Sequence, residues 1–409
     1  MRAGVLVAIL LLVGGRAGEL PTHAPCAGRM LAEGRGRTEP RSFGKPTRGE
    51  VYVDPSFGGC VVRATDHAAD GLPGFARHDY ARRQAFNADS SLFLVTAHDG
   101  NWYLYDASSL KKLKQAPHLS GDAEPQWDAR DPHILYYGAN NGGLQVWALD
   151  VLTDETRVAI DLRGRLPWPN AARAWTKSEG SPSRDGRLWP FQVETADFEI
   201  LGFAVWDRAK GRLVGTLPVK SRPDHVSMSP SGRWFVSSGD DTVAWKSDFS
   251  THRLVRKGGE HSDLAIGSDG DDYYVSVDFD SNDGDVFMFD LDTGKRTDLF
   301  PTYLDHGATS VHVSGKAFDR PGWVLVSTFY QRGPRAWFSE AVFALEMREH
   351  PRVYRLAAHH SSAADVYSAE PQATVNRTFT RALFNSNWGV AGSDDVDAYL
   401  IQLPLGAFP

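Results

Sequence analysis

Seven short polar stretches, each placed just ahead of an apolar run, hold most of the groups this chain could use for chemistry. They are His78-Asp79-Tyr80 with Arg82, Arg83 and Gln84; Glu124 with Gln126; Lys177 with Glu179; Arg222 with Asp224 and His225; Glu260 with His261 and Asp263; His306 with Thr309 and His312; and Glu370 with Gln372. Five of the chain's 14 histidines fall in this set, interleaved with Lys, Arg and carboxylates. Imidazole titrates near neutrality and neighbouring charges move its pKa, so acid and base catalysts are made from this residue mix. A polar strand start also has a plain structural use, capping the strand end or binding water, so the argument rests on the set. One tripeptide occurs twice, as Glu124-Pro125-Gln126 and Glu370-Pro371-Gln372. Either it marks a structural repeat, or both copies face one shared site.

Only a repetitive fold brings seven scattered stretches to one place. An apolar strand ending in a polar residue and a turn recurs as WYLYDASSLKKL from Trp102, LQVWALDVLTDETRV from Leu144 and GFAVWDRAKGRLV from Gly202. It returns as TVAWKSDFSTHRLV from Thr242, DVFMFDLDTGKRTDL from Asp285, AVFALEMREHPRVYRL from Ala341 and DAYLIQLP from Asp397. Ahead of several copies lies a second strand broken by a Gly, Asp or Ser turn, as in HVSMSPSGRWFVSS and DLAIGSDGDDYYVSV, which is a hairpin signature. Seven copies at a spacing of roughly 40–60 residues predict an all-β fold, a seven-bladed β-propeller with four-stranded antiparallel blades. A β-sandwich is the runner-up, and the sevenfold period argues against it. The stretch VYVDPSFGGCVVRATD, before the first repeat, is expected to give an outer strand to the last blade and close the ring. In such a ring every innermost strand begins at the same mouth. The polar starts then converge on a concave site.

The chain has 409 residues, 42% hydrophobic and 23% charged, which is enough apolar material for a large core. A net charge of −7 with dispersed Lys and Arg gives no basic stripe, which argues against nucleic acid. The opening MRAGVLVAILLLVGGRAGE reads as a secretory signal over residues 1–18, with Arg2 ahead of an apolar run from Val5 to Val13. That run is short of the ~20 residues a membrane span needs. The expectation is a secreted or periplasmic monomer without a membrane span. Residues 19–50 read as an irregular arm and 51–409 as the propeller. Cys26 and Cys60 both precede the repeats, and in an oxidising compartment a disulfide between them would pin the arm, two free thiols being the alternative.

These repeats, the export signal and the polar strand starts resemble exported bacterial propellers of the TolB/WD40-like type, and among them the polysaccharide lyases, namely the oligogalacturonate and ulvan lyases. The resemblance covers most of residues 50–405 and is one of architecture more than of strict motif. In the oligogalacturonate lyases the last blade begins with a His-Pro-His-type start that holds a divalent metal. Glu370-Pro371-Gln372 stands in that place here, and its oxygen ligands suit Mn or Ca better than Zn. Ulvan-lyase propellers use two histidines in neighbouring strands of one blade, which His78 and His98 resemble, with Tyr80 beside them.

The resemblance implies an acidic polysaccharide or oligosaccharide as partner and β-elimination as the reaction. A uronate carboxylate must be neutralised, a weakly acidic proton removed beside it, and a proton given to the leaving oxygen. Arg83, Lys177 or Arg222 is the expected neutraliser, His78 or His98 the base, Tyr80 the acid, and His225 and His261 are alternates. Glu124, Gln126, Glu179, His306, His312 and Trp388 are expected to bind substrate, and Glu370 and Gln372 a metal. Trp175 is a further aromatic that could stack on a sugar. The competing class is a non-catalytic propeller that binds a glycan or protein in the same mouth.

Three weaker signals have plain readings. DFDSNDGD, from Asp278, has the carboxylate density of a calcium loop but reads as a hairpin turn. Asn376-Arg377-Thr378 matches a glycosylation acceptor inside an inner strand. His359-His360 is expected in a solvated loop between blades.

Overall fold

The computed structural model describes residues 31–409 apart from Ser178 and Asp365. Its strands form seven blades. Blade 1 holds Phe75–Arg77, Leu92–Ala97, Trp102–Asp106 and Lys112–Gln115, and the inner strands of blades 2 to 6 are Gln126–Trp127, Arg173–Trp175, His225–Met228, Ser262–Ile266 and Ala308–Ser314. Blade 7 holds Thr374–Val375, Arg381–Ser386 and Val396–Gln402, and its next strand is Cys60–Arg63 from the other end of the chain.

The strands are apolar on both faces because each blade is covered on both sides. Side chains alternate across a strand. In blade 6, Val324 and Val326 pack towards blade 5, while Leu325 between them packs towards blade 7. The described core falls into seven clusters, one at each junction between neighbouring blades. Burying one such side chain contributes about 1.5–3 kcal/mol.

The expected closure by the N-terminal strand is present. Cys60–Arg63 pairs antiparallel with Val396–Gln402, and Val51–Val53 adds a further strand outside it. Arg63 Nη2 donates to Asp397 Oδ2 at 2.6 Å across 334 residues of sequence. Asp397 Oδ1 accepts the His67 N–H at 2.9 Å and the Thr65 hydroxyl at 3.3 Å. The arm is more regular than its composition suggests, since Ala32–Glu33 extends blade 6. Cys60 is disulfide-bonded, and Cys26 lies outside the described residues, as does the signal read over 1–18. Among the described residues no helix is long and apolar enough to cross a membrane.

Two inner strands leave their sheets on the way through the channel. In blade 1, Ala76 pairs with Ala97 and Phe86 with Phe93, so the inner strand takes ten steps where its partner takes four, and His78 to Arg83 project inward. Asn385 secures the departure, accepting the His78 N–H and donating to the His78 carbonyl, both at 2.9 Å. In blade 3, Trp175 pairs with Gln192 and the Ser183 N–H donates to the Leu188 carbonyl, so Thr176, Lys177, Glu179 and Gly180 project likewise. Gly180 allows this close approach, because a Cβ there would stand 1.8 Å from the Val226 carbonyl oxygen.

Candidate functional site at the front mouth

The mouth where the inner strands begin is organised around Arg82. Its guanidinium crosses the channel, placing Nη1 against Nε2 of His225 on blade 4. Its Nη2 lies 3.4 Å from Glu179 Oε2 on the blade 3 excursion and donates to the Tyr80 hydroxyl, also at 3.4 Å. The Ser181 hydroxyl donates to the Arg82 carbonyl at 3.3 Å, so the two excursions brace one another. Arginine offers donors only, so His225 must turn a lone pair towards it. Burial first, and then the Arg82 charge, push the His225 pKa down to about 4. Burial also raises the Glu179 pKa, against the pull of Arg82. Lys177 Nζ donates to Asp224 Oδ1 at 3.0 Å, beside His225.

A second knot of groups closes the other side. His312 stacks on Phe329 with ring centres 4.3 Å apart and lies 4.4 Å from the His261 ring. Gln372 Oε1 accepts the Ala81 N–H at 3.1 Å, which turns its amide nitrogen to His312 Nε2 and Glu370 Oε2, each at 3.0 Å. Burial pushes the Glu370 carboxyl up to about 7, where it exchanges its proton near neutrality. The Tyr80 hydroxyl feels the charge of both Glu179 and Glu370, and burial foremost lifts its pKa to about 12. Tyr367, 56% exposed on the short turn Tyr367–Ala369, leans over the same groups, and burial raises its pKa while Tyr80, Arg77, Glu179 and Glu370 all act on it.

The two Glu-Pro-Gln copies serve as clamps on the excursions. In the first, the Glu124 carboxylate accepts the Thr176 N–H at 2.9 Å, and Gln126 Nε2 donates to the Gly180 carbonyl at 2.9 Å. Pro125 offers its carbonyl to Arg83 Nη1 at 3.1 Å. In the second, Gln372 holds Ala81 and Pro371 accepts the Asn385 N–H at 2.8 Å. The copies differ in backbone, with φ of +51° at Glu124 and +43° at Gln372. Like sequence here is not like conformation.

Of the residues expected at the site, Tyr80, Glu179, His225, His261, His312, Glu370 and Gln372 converge, with Lys177 at the rim. Others stand elsewhere. His78 is buried and its Nε2 donates to the Tyr80 carbonyl; burial brings its pKa to about 4, so the ring fixes the excursion. His98 is exposed on a hairpin turn against Phe75, and the expected His78–His98 pair gives way to two separate placements. Arg83 is buried on Asp79 and Pro125. Arg222 donates to the buried Glu194 at 2.6 Å on the rim of a cleft of about 430 Å³ between blades 3 and 4. Glu124 and Gln126 hold backbone, and His306 is exposed on a turn before blade 6. Trp175 belongs to the core and donates its Nε1 to Glu194.

Trp388 lines a cavity of about 580 Å³ beside the cluster, together with Phe43 of the arm, Phe329, Tyr330 and Arg332. Phe329 is the shared wall, since its ring stacks on His312. Four non-glycine residues lining this cavity, Tyr330, Glu340, His360 and Trp388, have φ between 49° and 53°. Strained backbone of this kind gathers at ligand sites. His359 and His360 are not in a solvated loop. His359 is 1% exposed, and His360 packs between the rings of Phe43 and Trp388 as the arm folds over them. Arg77 and Tyr367 were not among the residues expected at the site, and Arg82 was in the converging set without an assigned role. Tyr367 stands three positions ahead of Glu370 on the approach to blade 7, which was the available signal.

The weaker signals have structural uses. Asp278 to Asp285 is a hairpin connection in which Asp278 pairs with Arg256 and Arg296. Asn376 is 2% exposed and donates to Ser90, Thr378 and Thr380.

Among the described residues three groups have ligand atoms close enough to hold a metal: His67, Asp395 and Asp397; Glu179, Asp224 and His225; and Asp271, Asp290 and Asp292. Each is already threaded by the chain's own cations, respectively Lys45 and Arg63, Arg82 and Lys177, and Arg233 and Lys246. At Glu370 and Gln372 the donor set does not fit an ion. The Ala81 N–H can only donate, so it claims the amide oxygen, and Gln372 presents hydrogens where a ligand would need a lone pair.

No family model and no curated protein matches the chain. Among solved structures it is similar to an oligogalacturonate lyase in complex with manganese, at 16% identity and a TM-score of 0.60, over 93% of this chain and 100% of that one. A second oligogalacturonate lyase, from Vibrio parahaemolyticus, matches at 14% identity and 0.58 over the same shares. The WD40 domain of Neurospora crassa Pan2 matches at 12% identity and 0.50, over 84% of this chain and 95% of that one. At such identities the likeness is one of fold: this chain is a β-propeller that resembles those of the oligogalacturonate lyases.

Proposed function

We propose that the front mouth binds and cleaves an acidic glycan as a polysaccharide lyase, by β-elimination beside a uronate carboxylate. The observation that carries this reading is Glu370. It is a carboxyl poised near pH 7, its side chain 16% exposed, and it faces the same two tyrosines as Glu179. A general base works best when its pKa lies near the working pH.

In this reading Lys177, partly exposed at the rim, exchanges Asp224 for the sugar carboxylate and neutralises it. Glu370, as carboxylate, takes the proton from the carbon next to that group. The electron pair forms the carbon–carbon double bond as the bond to the glycosidic oxygen breaks. Tyr80 or Tyr367, both held protonated by raised pKa values, gives its proton to the leaving oxygen. His261 is a second base candidate: its Nδ1 faces the Val311 carbonyl at 3.0 Å and must carry the proton, leaving a lone pair on Nε2. Its pKa of about 4, set by burial, makes it the weaker of the two. The neighbouring cavity would lodge adjoining sugar units against Trp388 and Tyr330. No step uses a metal. Export, read from residues 1–18, suits a protein that meets a polymer outside the cell.

One observation favours a non-catalytic mouth that binds a glycan or a protein partner. Arg82, His225 and His312 are 3%, 5% and 1% exposed, as in a network built to stiffen a surface. The two readings separate when the protein is incubated with a panel of uronate-containing and neutral polysaccharides. Ultraviolet absorbance from unsaturated uronates, on an acidic glycan only, supports the lyase. Binding without any rise in absorbance supports the second reading, and neither response removes both.

A further inference from the structure

We propose that Arg82 is the resident cation of the front mouth and stands where a divalent ion would otherwise sit. The inference rests on the mouth being the functional site and is independent of lyase chemistry. An ion such as Mn²⁺ or Ca²⁺ needs several oxygen or nitrogen lone pairs turned to one point. Here the chain's own cations and donors already face those groups, Glu179 as an ion pair with Arg82. Arg82 Nη1 faces His225 Nε2, and Nη2 lies 3.4 Å from both Glu179 Oε2 and the Tyr80 hydroxyl. Lys177 takes Asp224 at 3.0 Å. On the far side, the Gln372 amide nitrogen occupies His312 Nε2 and Glu370 Oε2.

The cation is built in by the chain path. Arg82 reaches His225 because the blade 1 inner strand leaves its sheet at His78, and because Ser181, Gln372 and Thr374 hold the excursion at Arg82, Ala81 and Arg83. A guanidinium so fixed orients Glu179 and Tyr80 as an ion would, and its charge does not depend on supply. Arg82 is thus a positioning residue. With a side chain 4% exposed, it acts through the groups it touches.

The test uses the purified full chain, titrated with Mn²⁺ and separately with Ca²⁺ by calorimetry after chelator dialysis, with elemental analysis of the untreated protein. The expected result is no stoichiometric ion, and a melting temperature unchanged by chelator. One Mn²⁺ or Ca²⁺ per wild-type chain, lost in Glu179→Ala or His225→Ala, would overturn the proposal. Arg82→Ala vacates the position, and it is expected to gain Mn²⁺ binding that the additional change Glu179→Ala removes. A folded Arg82→Ala chain with no gain also overturns the claim, and if that variant does not fold, the wild-type titrations decide. Because no glycan is present, failure here leaves the lyase reading to its own experiment.

Discussion

Arg82 Nη1 lies against His225 Nε2, although 143 residues and the width of the channel separate their blades. Burial first, and then this contact, keep His225 neutral, because a guanidinium cannot accept a proton. In Arg82→Met the His225 pKa should rise from about 4 towards the ordinary histidine value, stopping short of it because burial is the larger cause. Histidine side-chain NMR titration reads this directly. An unmoved His225 resonance would show that Arg82 exerts no field on the ring.

Removing Arg82 also strands Glu179, whose pKa burial has raised. Breaking one side of a buried pair costs about 3–5 kcal/mol. Urea unfolding of Arg82→Met should show a loss of this order, partly recovered when Glu179→Gln is added. Independent, additive losses would mean the two do not form one unit.

The blade 3 excursion depends on Gly180. A methyl there meets the Val226 carbonyl oxygen at 1.8 Å, which backbone must yield to, whereas a methyl on Gly44 meets nothing within 4 Å. Gly180→Ala should lose about 1–3 kcal/mol, the usual cost of overpacking, and Gly44→Ala should be close to neutral. Equal stability in the two variants would refute the close approach.

Both the ring and its limits of legibility follow from packing. The strand Trp323–Arg332 opens with successive apolar residues because Val324, Leu325 and Val326 face different neighbouring blades, so the repeat is written in composition as well as period. Closure was legible too, since the apolar stretch Cys60-Val61-Val62 stands ahead of the first repeat and lacks a full blade of its own, and it pairs with Val396–Gln402. The excursions were not. His78 to Arg83 has the polar character of any strand start, and only the pairing of Ala76 and Phe86 reveals that the strand departs and returns. Arg82 was legible as a member of the polar set but its central place was not: an arginine is ordinarily a surface residue, and its burial depends on partners supplied by blades 3 and 4. The repeated Glu-Pro-Gln lies beside both excursions, yet the first copy binds backbone, while the second brings to the mouth a carboxyl whose pKa burial raises to about 7.

Glu370 gives a pH signature. Its folded pKa, about 7, lies above its ordinary value, so the native state holds a proton that the unfolded chain has released. That contribution to stability is full below the ordinary glutamate range and is lost as pH rises through about 7. Glu370→Gln should flatten this part of the stability curve, measured as urea midpoints between pH 4 and 8. Parallel curves for the two proteins would place the titration on another group.

The ring closure carries the opposite sign. Arg63, His67 and the Lys45 charge, against the effect of burial, hold Asp397 well below the usual carboxylate range, so its contribution is present above that range and lost as pH falls. Asp397→Asn should weaken protection of Cys60–Arg63 in hydrogen exchange before that of blades 3 to 5, and acid should do the same to the wild type. Uniform loss across the ring would contradict a local closure.

The lyase reading is tested most directly by the release of unsaturated uronate from acidic polysaccharides, followed for the wild type and Glu370→Gln side by side with glycan binding measured on both. The expected result is product from the wild type on at least one acidic glycan, and a rate about 10²–10⁴-fold lower in the variant, the range that general acid–base catalysis supplies, with binding retained. Product formation at equal rates, or none from the wild type on any glycan, would contradict it.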